Sequence, residues 1–571
     1  MSLLPNLRII TGSSSTLYFI LLILPSYAVG LTLEYVPDLA PTTRKNYEIT
    51  SPEGLMQEKK GKQQDAEVSQ STSITDLFAK VGYESNVKFD DDLKRNVGML
   101  IRITPRMINY WAAELKQMFQ KKLENKELPE FSRTLMKLNV SILKPRIHNI
   151  TFPGFRYKVQ CNNTLEVILH GGSAQLSSSY RAVYRTIREG YLEANMSSFV
   201  ITLKLKIATT FAGKLLLEDI VCGAEVRSID IKLTPKLHEL VDQGLRVELD
   251  ETVSVVICEA LEAFTNQFEE RLNKLIRSPV VEIKINDTVT RLLIDTTISN
   301  DIFLTEDYFD FPLLGTPAIK KLEREAYLMK SPDDKVEMIY LYVSESVLNI
   351  FLKQLATFGD TALQLHADPE FQKILSLNCS ENEKCMGDLL QDTELYVPDS
   401  GALFCNVNSG RMVIKISSPL VASVRNGFAL IDLYLTSFVT YKEEGMDVKV
   451  LEFEWHATIH VSNEYLNEHL AATYNPVQNM DASLQVVNIV ISNVTPYVEL
   501  VSNCDEHLLR LISSRKRLLE KLLTQQCSLA RTTSTLYKAV YCTATFRNGT
   551  LVIATGLQWN PELFYQFGLF S

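Results

Sequence analysis

The sequence predicts an α+β chain of two related lobes, and three observations carry that prediction. A strand feeding an amphipathic helix occurs twice, about 240 residues apart; strands of strict period-two alternation follow each copy; and each half holds a second long helix with an apolar stripe. Self-similarity of this kind marks a duplicated folding unit. The roughly 470 residues from Gly98 onward also exceed what one core normally supports, so two domains are expected from length alone.

The first unit runs from Gly98 to Leu123. Its apolar run, Met99 to Ile103, ends at Thr104, a favourable N-cap residue, and Pro105 takes the first helical position, where its missing N–H costs nothing. Ile108, Trp111, Leu115, Phe119 and Leu123 then recur at three- and four-residue spacing. In the second unit, Met338 to Leu355, Ser344 is the cap and Leu348, Phe351, Leu352 and Leu355 form the stripe. Thr104 to Asn109 and Ser344 to Asn349 align without a gap.

Beyond each unit the period changes to two. Phe199, Ile201, Leu203, Leu205 and Ile207 alternate with Val200, Thr202, Lys204 and Lys206, as in an antiparallel sheet with one wet face. Leu451, Phe453, Trp455, Ala457 and Ile459 alternate likewise with Glu452, Glu454, His456, Thr458 and His460. The second long helices carry stripes of Ile257, Leu261, Phe264, Phe268, Leu272 and Leu275 in the first half, and of Leu508, Ile512, Leu519, Leu522 and Leu523 in the second.

The segments Gly98 to Tyr110 and Met338 to Asn349 resemble the lobe openings of a known family, the bactericidal/permeability-increasing and lipopolysaccharide-binding proteins with their lipid transfer relatives. The resemblance covers about Gly98 to Phe564. It implies an elongated two-lobed protein, each lobe a long twisted antiparallel sheet wrapped around two amphipathic helices, the lobes joined by a central sheet. It also implies a disulfide between Cys222 and Cys258. The expected domains are an N-terminal lipid-binding lobe over 98–280, central sheet and linker over 281–335, a C-terminal lipid-binding lobe over 336–545, and a return to the central sheet with a tail over 546–571.

The first residues read as an address. Leu17 to Leu24 is a short apolar core behind Arg8, and Ser26-Tyr27-Ala28 supplies the small residues of a cleavage site, so a signal peptide over 1–28 and secretion are expected. The polar stretch within 29–97 reads as a disordered arm or a removable pro-segment. Sequons at Asn139, Asn149, Asn162, Asn195, Asn286, Asn378 and Asn548 agree with export, whereas the one at Asn493 is weakened by the following Pro496. The nine cysteines form no metal-binding spacing and in a secreted chain should mostly pair.

Charge is uneven. The chain carries −10 overall, yet Gly98 to Ile220 holds 18 Lys and Arg against 9 Asp and Glu, a net of +9 that leaves −19 for the remainder. In Ser179 to Arg188, the bases Arg181, Arg185 and Arg188 interleave with Tyr180 and Tyr184 between two strand patterns. Such a basic hairpin reads either as a contact for anionic surfaces or as a solvated turn.

No nucleophile elbow, zinc-protease helix, phosphate loop or dinucleotide fingerprint occurs, so an enzyme is not expected, and no cofactor or metal is implied. His456 and His460, about 13 Å apart along a strand, suit a solvent face better than one metal. Nucleic-acid binding is disfavoured by export and acidic charge. Apolar helix stripes are usually ordinary core; the resemblance instead implies that acyl chains fill gaps between helices and sheet. On that basis Ile108, Trp111, Leu115, Phe119, Phe264, Phe268, Leu348, Phe351 and Leu355 are candidate lipid contacts. The expected function is a secreted lipid-binding protein that transfers or presents phospholipid-type lipids, anionic ones included, through transient membrane contact. The alternative is an innate-immunity effector that binds lipopolysaccharide or other bacterial envelope lipids.

Overall fold

The computed structural model describes residues 97–559 apart from internal stretches, the longest being 316–327, 475–483 and 521–536. The expected signal peptide, nearly all of the expected arm, and the sequons at Asn286 and Asn378 lie outside the described residues. So do the side chains of Leu115, Phe268 and Leu355.

The chain opens with β1 (Met99–Ile103) and α1 (Pro105–Leu123). Six strands build the first lobe: β2 (Phe131–Leu135), β3 (Leu138–Thr151), β4 (Gly154–Gln160), β5 (Thr164–Val183), β6 (Ile187–Thr209) and β7 (Leu215–Thr234). Helix α2 (Glu239–Ile276) follows, then the hairpin β8 (Val280–Ile285) and β9 (Thr288–Leu293). Next come β10 (Asp295–Ile298), β11 (Phe303–Leu304) and β12 (Phe309–Gly315). The second unit is β13 (Ile339–Ser344) and α3 (Glu345–Thr357). After it lie β14 (Ala362–Gln364), the short α4 (Pro369–Ile374), and the hairpin β15 (Leu395–Val397) and β16 (Ala402–Phe404). The second lobe continues with β17 (Gly410–Ile416), β18 (Val421–Arg425), β19 (Phe428–Glu443), β20 (Met446–Ser462), α5 (Asn463–Tyr474), β21 (Gln485–Pro496) and α6 (Cys504–Ser514). The last strands are β22 (Tyr537–Arg547) and β23 (Thr550–Trp559).

The two large sheets share one connectivity. The first runs β2-β3-β5-β6-β7 with β4 on β5; the second runs β14-β17-β19-β20-β21 with β18 on β19. Between them a central sheet runs β10-β12-β1-β13-β23-β22, with β11 on β12. All the strand pairs in these three sheets are antiparallel. The fold is therefore α+β with two lobes, as the repeat and the alternating strands predict, on a central sheet, as the resemblance implies.

Helix α2 lies antiparallel along the edge strand β7 and closes it. Asp250 accepts the Val226 N–H at 3.0 Å, Glu269 accepts that of Leu217 at 2.9 Å, and Asn273 exchanges two bonds with Leu215. A helix rises about 1.5 Å per residue and a strand about 3.3 Å, so Asp250 to Asn273 and Val226 to Leu215 both span about 35 Å. This match of rises lets one helix satisfy N–H groups of the sheet edge from Leu215 to Val226, which would otherwise invite another strand. In the second lobe Glu520 does the same for Val486 at 2.9 Å.

Two local expectations need correction. Thr104 sits at the N-cap of α1, but its hydroxyl makes no cap; it donates to the Glu337 and Met338 carbonyls and joins the two repeat units. Ser344 does cap α3, accepting the Val347 N–H at 3.3 Å. The helix expected to carry Leu508 through Leu523 as one stripe is broken at Arg515, after Ser514, whose hydroxyl donates to the Leu511 carbonyl at 2.7 Å. It resumes over 516–520, where Leu519 is buried on the same cavity as Leu508 and Ile512, and Leu522 and Leu523 lie outside the described residues. Leu508 and Leu511 are the buried residues of α6.

Candidate functional site

Register places one apolar floor on the inner face of the first sheet. Leu169, Ile201 and Ala224 form one cross-strand row, Val167, Leu203 and Cys222 the next, and Leu165 with Leu205 a third. Strand β4 extends these rows with Tyr157 and Val159. Leu169, Ile201 and Leu205 are buried, but Tyr157, Val159, Leu165, Val167, Leu203 and Leu217 are only partly so, although helices cover this face. The disulfide Cys222–Cys258, with Cα atoms 5.5 Å apart, fixes α2 over the Leu203 row. Phe264, two turns further along α2, is also partly exposed. Partly exposed apolar side chains between a helix and a sheet can take an apolar chain, each CH₂ contributing ~0.8 kcal/mol.

The stripe of α1 is shared between two cores. Ile108 packs in the cluster that continues through the central sheet into the second lobe, and Trp111 lies partly exposed against it. Phe119 and Leu123 are buried in the first-lobe cluster, with Phe119 6.0 Å from Phe152. On α3, Leu348 and Phe351 are buried, and the helix is tied to strand β18: Ala422 N–H donates to Asn349 at 2.6 Å, Asn349 returns a bond to Ala422 O at 3.0 Å, and Val424 N–H donates to Glu345 at 2.6 Å. Their counterparts on α1 are Pro105, which has no acceptor to offer, and Asn109, which is exposed. The second lobe encloses a cavity of about 20 Å³ lined wholly by apolar surface between Met412, Phe453 and Trp455 of the sheet and Leu508, Leu511 and Ile512 of α6. That is room for about one water, not for an acyl chain, unless α6 moves outward.

The basic segment forms the tip of the β5–β6 hairpin, with Arg181, Arg185 and Arg188 all exposed. Tyr180, read from sequence as a surface partner of these arginines, is buried instead. It lies opposite Gly190, where a Cβ would stand 2.8 Å from the Tyr180 ring, and its hydroxyl donates to the Pro235 carbonyl. The ring thus covers a glycine across the ladder and faces the core. The exposed apolar residues at the tip are Tyr184 at 56%, Ile187 at 56% and Tyr191 at 73%. Ile187 and Tyr191 went unread in the sequence, although both continue the period-two pattern of β6 on the face opposite Leu192. Arg181 pairs with Glu189 at 3.6 Å, and Arg185 lies 5.7 Å from the Tyr184 ring centre.

A polar network occupies the other face of the central sheet. Arg102 is held by Asp310 through bonds of 2.8 and 3.0 Å and lies 3.8 Å over the Tyr308 ring. Arg547 holds Asp334 at 2.6 and 2.7 Å, and the Tyr342 hydroxyl donates to Asp334 at 2.6 Å. Burial alone would raise the Asp334 carboxyl, but these hydrogen bonds and the Arg547 charge outweigh it and hold it below the usual carboxylate range. Every member has a charged or polar partner, as a structural network does. Among the described residues no group of three or more His, Cys, Asp and Glu could hold a metal, and no helix is long and apolar enough to cross a membrane. His456 bonds Asp432 at 3.1 Å and stacks on Tyr434. A second disulfide joins Cys379 and Cys385, while Cys161 is free and exposed.

No family model matches the chain. In sequence it is similar to lipopolysaccharide-binding protein of Bos taurus, 21% identical over 285 residues, 45% of this chain and 55% of that protein. The match thus spans about half the length of the curated relative. Among solved structures, that of lipopolysaccharide binding protein aligns with 81% of this chain and 99% of its own, at 13% identity and a TM-score of 0.47. Takeout 1 of Epiphyas postvittana aligns with 29% of this chain and 93% of its own, at 15% identity and a TM-score of 0.19.

Proposed function

From the likeness of this chain to the bactericidal/permeability-increasing and lipopolysaccharide-binding family, we propose that it is a secreted lipid-binding protein which holds acyl chains and transfers or presents them, without catalysis. The observation that carries the reading is the partly exposed apolar floor of Leu165, Val167 and Leu203 beneath helices α1 and α2. One 16-carbon chain laid there would offer on the order of 12 kcal/mol gross before ordering costs. Trp111 packs on the same cluster as Leu165 and Leu203, and Phe264 enters the proposal through its stripe position on α2; Ile108, Phe119, Leu348 and Phe351 would contact lipid only where a helix lifts. Leu115, Phe268 and Leu355 remain in the same proposal through their stripe positions.

Secretion is supported by the signal-like start and by the exposure of Asn139, Asn149, Asn162, Asn195 and Asn548 on the described surface. The domain boundaries set out from sequence are proposed unchanged. Lipopolysaccharide or another envelope lipid is the second reading, favoured by the likeness to bovine lipopolysaccharide-binding protein and by the hairpin tip.

The tip separates lipid headgroups by charge. Each free arginine should contribute about 1 kcal/mol of attraction to an anionic surface, fading as salt shortens the screening length from ~10 Å at 0.1 M to ~3 Å at 1 M. Tyr184, Ile187 and Tyr191 supply apolar area that salt does not weaken. The test is co-sedimentation of wild type and an Arg181→Glu/Arg185→Glu/Arg188→Glu variant with vesicles of phosphatidylcholine alone, with phosphatidylserine, and with lipid A. Loss of binding to both anionic vesicles at low salt, with acyl uptake from micelles retained, is the expected result. Equal co-sedimentation would reduce the tip to a solvated turn, and absence of any acyl uptake by wild type would overturn the lipid-binding reading.

A further inference from the structure

Trp111 is the repeat counterpart of Phe351, and the polar difference between them is one indole N–H. Phe351 is 3% exposed within a closed core, on a helix tied to its edge strand by Asn349 and Glu345. Trp111 stands on the helix that lacks both ties. Its ring is partly exposed and packs against an apolar cluster whose first-lobe members include Ile108, Leu205 and Ile207, with Tyr157, Leu165 and Leu203 on its flank. Its Nε1 is nevertheless enclosed, and among the described residues no acceptor bonds it.

A buried tryptophan N–H ordinarily finds a partner, and leaving it without one is costly. Phenylalanine, though smaller, would occupy this place with no donor to satisfy, as it does in the second lobe. The donor is therefore unexplained by folding. Its ring packs on the same cluster as a floor that otherwise offers a ligand only apolar contact.

Building on the lipid-binding reading, we propose that Trp111 Nε1–H donates to an acyl carbonyl of the bound lipid and makes the first lobe selective for ester-linked over ether-linked chains. An ester presents a carbonyl oxygen, a good acceptor, at the head of each chain. An alkyl ether of the same length presents only a weakly accepting oxygen, so binding it leaves the indole donor desolvated and unpaired. The chains contribute equally in the two lipids. The discrimination falls on one hydrogen bond.

The test compares uptake of a diacyl phosphatidylcholine and its dialkyl ether analogue of equal chain length by the full chain and by Trp111→Phe. Wild type should prefer the diester by about three- to tenfold, the range a neutral hydrogen bond commands, and the ratio should fall to about one in the variant. The lipid-free variant should stay folded, losing only the packing of the smaller ring, because among the described residues the N–H it removes bonds nothing. Equal uptake of the two lipids by wild type, or a preference that survives in Trp111→Phe, would overturn this proposal while leaving lipid binding intact. Uptake of neither lipid by wild type would overturn both.

Discussion

Ile101 lies directly opposite Leu341 in the antiparallel pair of β1 and β13, and the same two residues are equivalents in the internal repeat. Met99 faces Val343 and Ile103 faces Ile339, so each contact recurs with its partners exchanged. The ends obey the same rule: Thr104 N–H donates to Met338 O at 3.1 Å, and Ser344 N–H donates to Gly98 O at 3.0 Å. A local two-fold axis thus passes between Ile101 and Leu341, and the duplicated unit docks on itself through one self-complementary surface, as in an isologous dimer.

The neighbour of Ile101 breaks that symmetry and should be sensitive to substitution. Arg102 and Asp310 are 3% and 2% exposed, and removal of one partner leaves an uncompensated buried charge. Asp310→Ala should lose about 3–5 kcal/mol of unfolding free energy in urea titrations. The double variant Arg102→Met/Asp310→Leu should recover most of that loss. A single variant within 1 kcal/mol of wild type by the same titration, on the scale of an exposed pair, would contradict the buried pairing.

Asp334 gives the central sheet an acid-labile component. Its folded pKa lies below the unfolded value of ~3.9, so the stabilisation it confers is present above that value and disappears as pH falls through the lower folded one. Asp334→Asn should therefore melt below wild type at pH 7, with the gap closing under about pH 4. A gap constant from pH 7 to pH 3 would show that the carboxylate charge is not what matters.

The bond between Cys222 and Cys258, 36 residues apart, should be worth roughly 4 kcal/mol by the chain-entropy model. Replacing both by Ser should lower the melting temperature and loosen α2 from β7. In the native protein an alkylating reagent should label exposed Cys161 but spare Cys542, whose thiol burial pushes up to about 12. Peptide mapping that finds Cys222 or Cys258 labelled without reduction would refute the pairing.

The repeat, the alternating strands and the stripes of α1 and α3 were legible because each depends on neighbours within a few residues. Leu451 through Ile459 point inward in the structure by the same alternation that marks them in the sequence. The candidate site was less legible. Its stripe residues were found, yet α1 divides them between two cores, and the floor residues Leu165, Val167 and Leu203 carry no local sign that they stay partly exposed.

By itself, then, the sequence determined which residues form strands and helices, which faces are apolar, and that the unit occurs twice, since period and capping act locally. Tertiary structure alone decided what depends on register between distant strands. The Tyr180 ring fits inside because Gly190 stands opposite it across the ladder, and Ile187 and Tyr191 face solvent beside the arginines. Arg102 meets Asp310 across 208 residues, and α2 closes the β7 edge because their rises match over about 35 Å. Such pairings are fixed by strand register and packing, which no window of the chain contains.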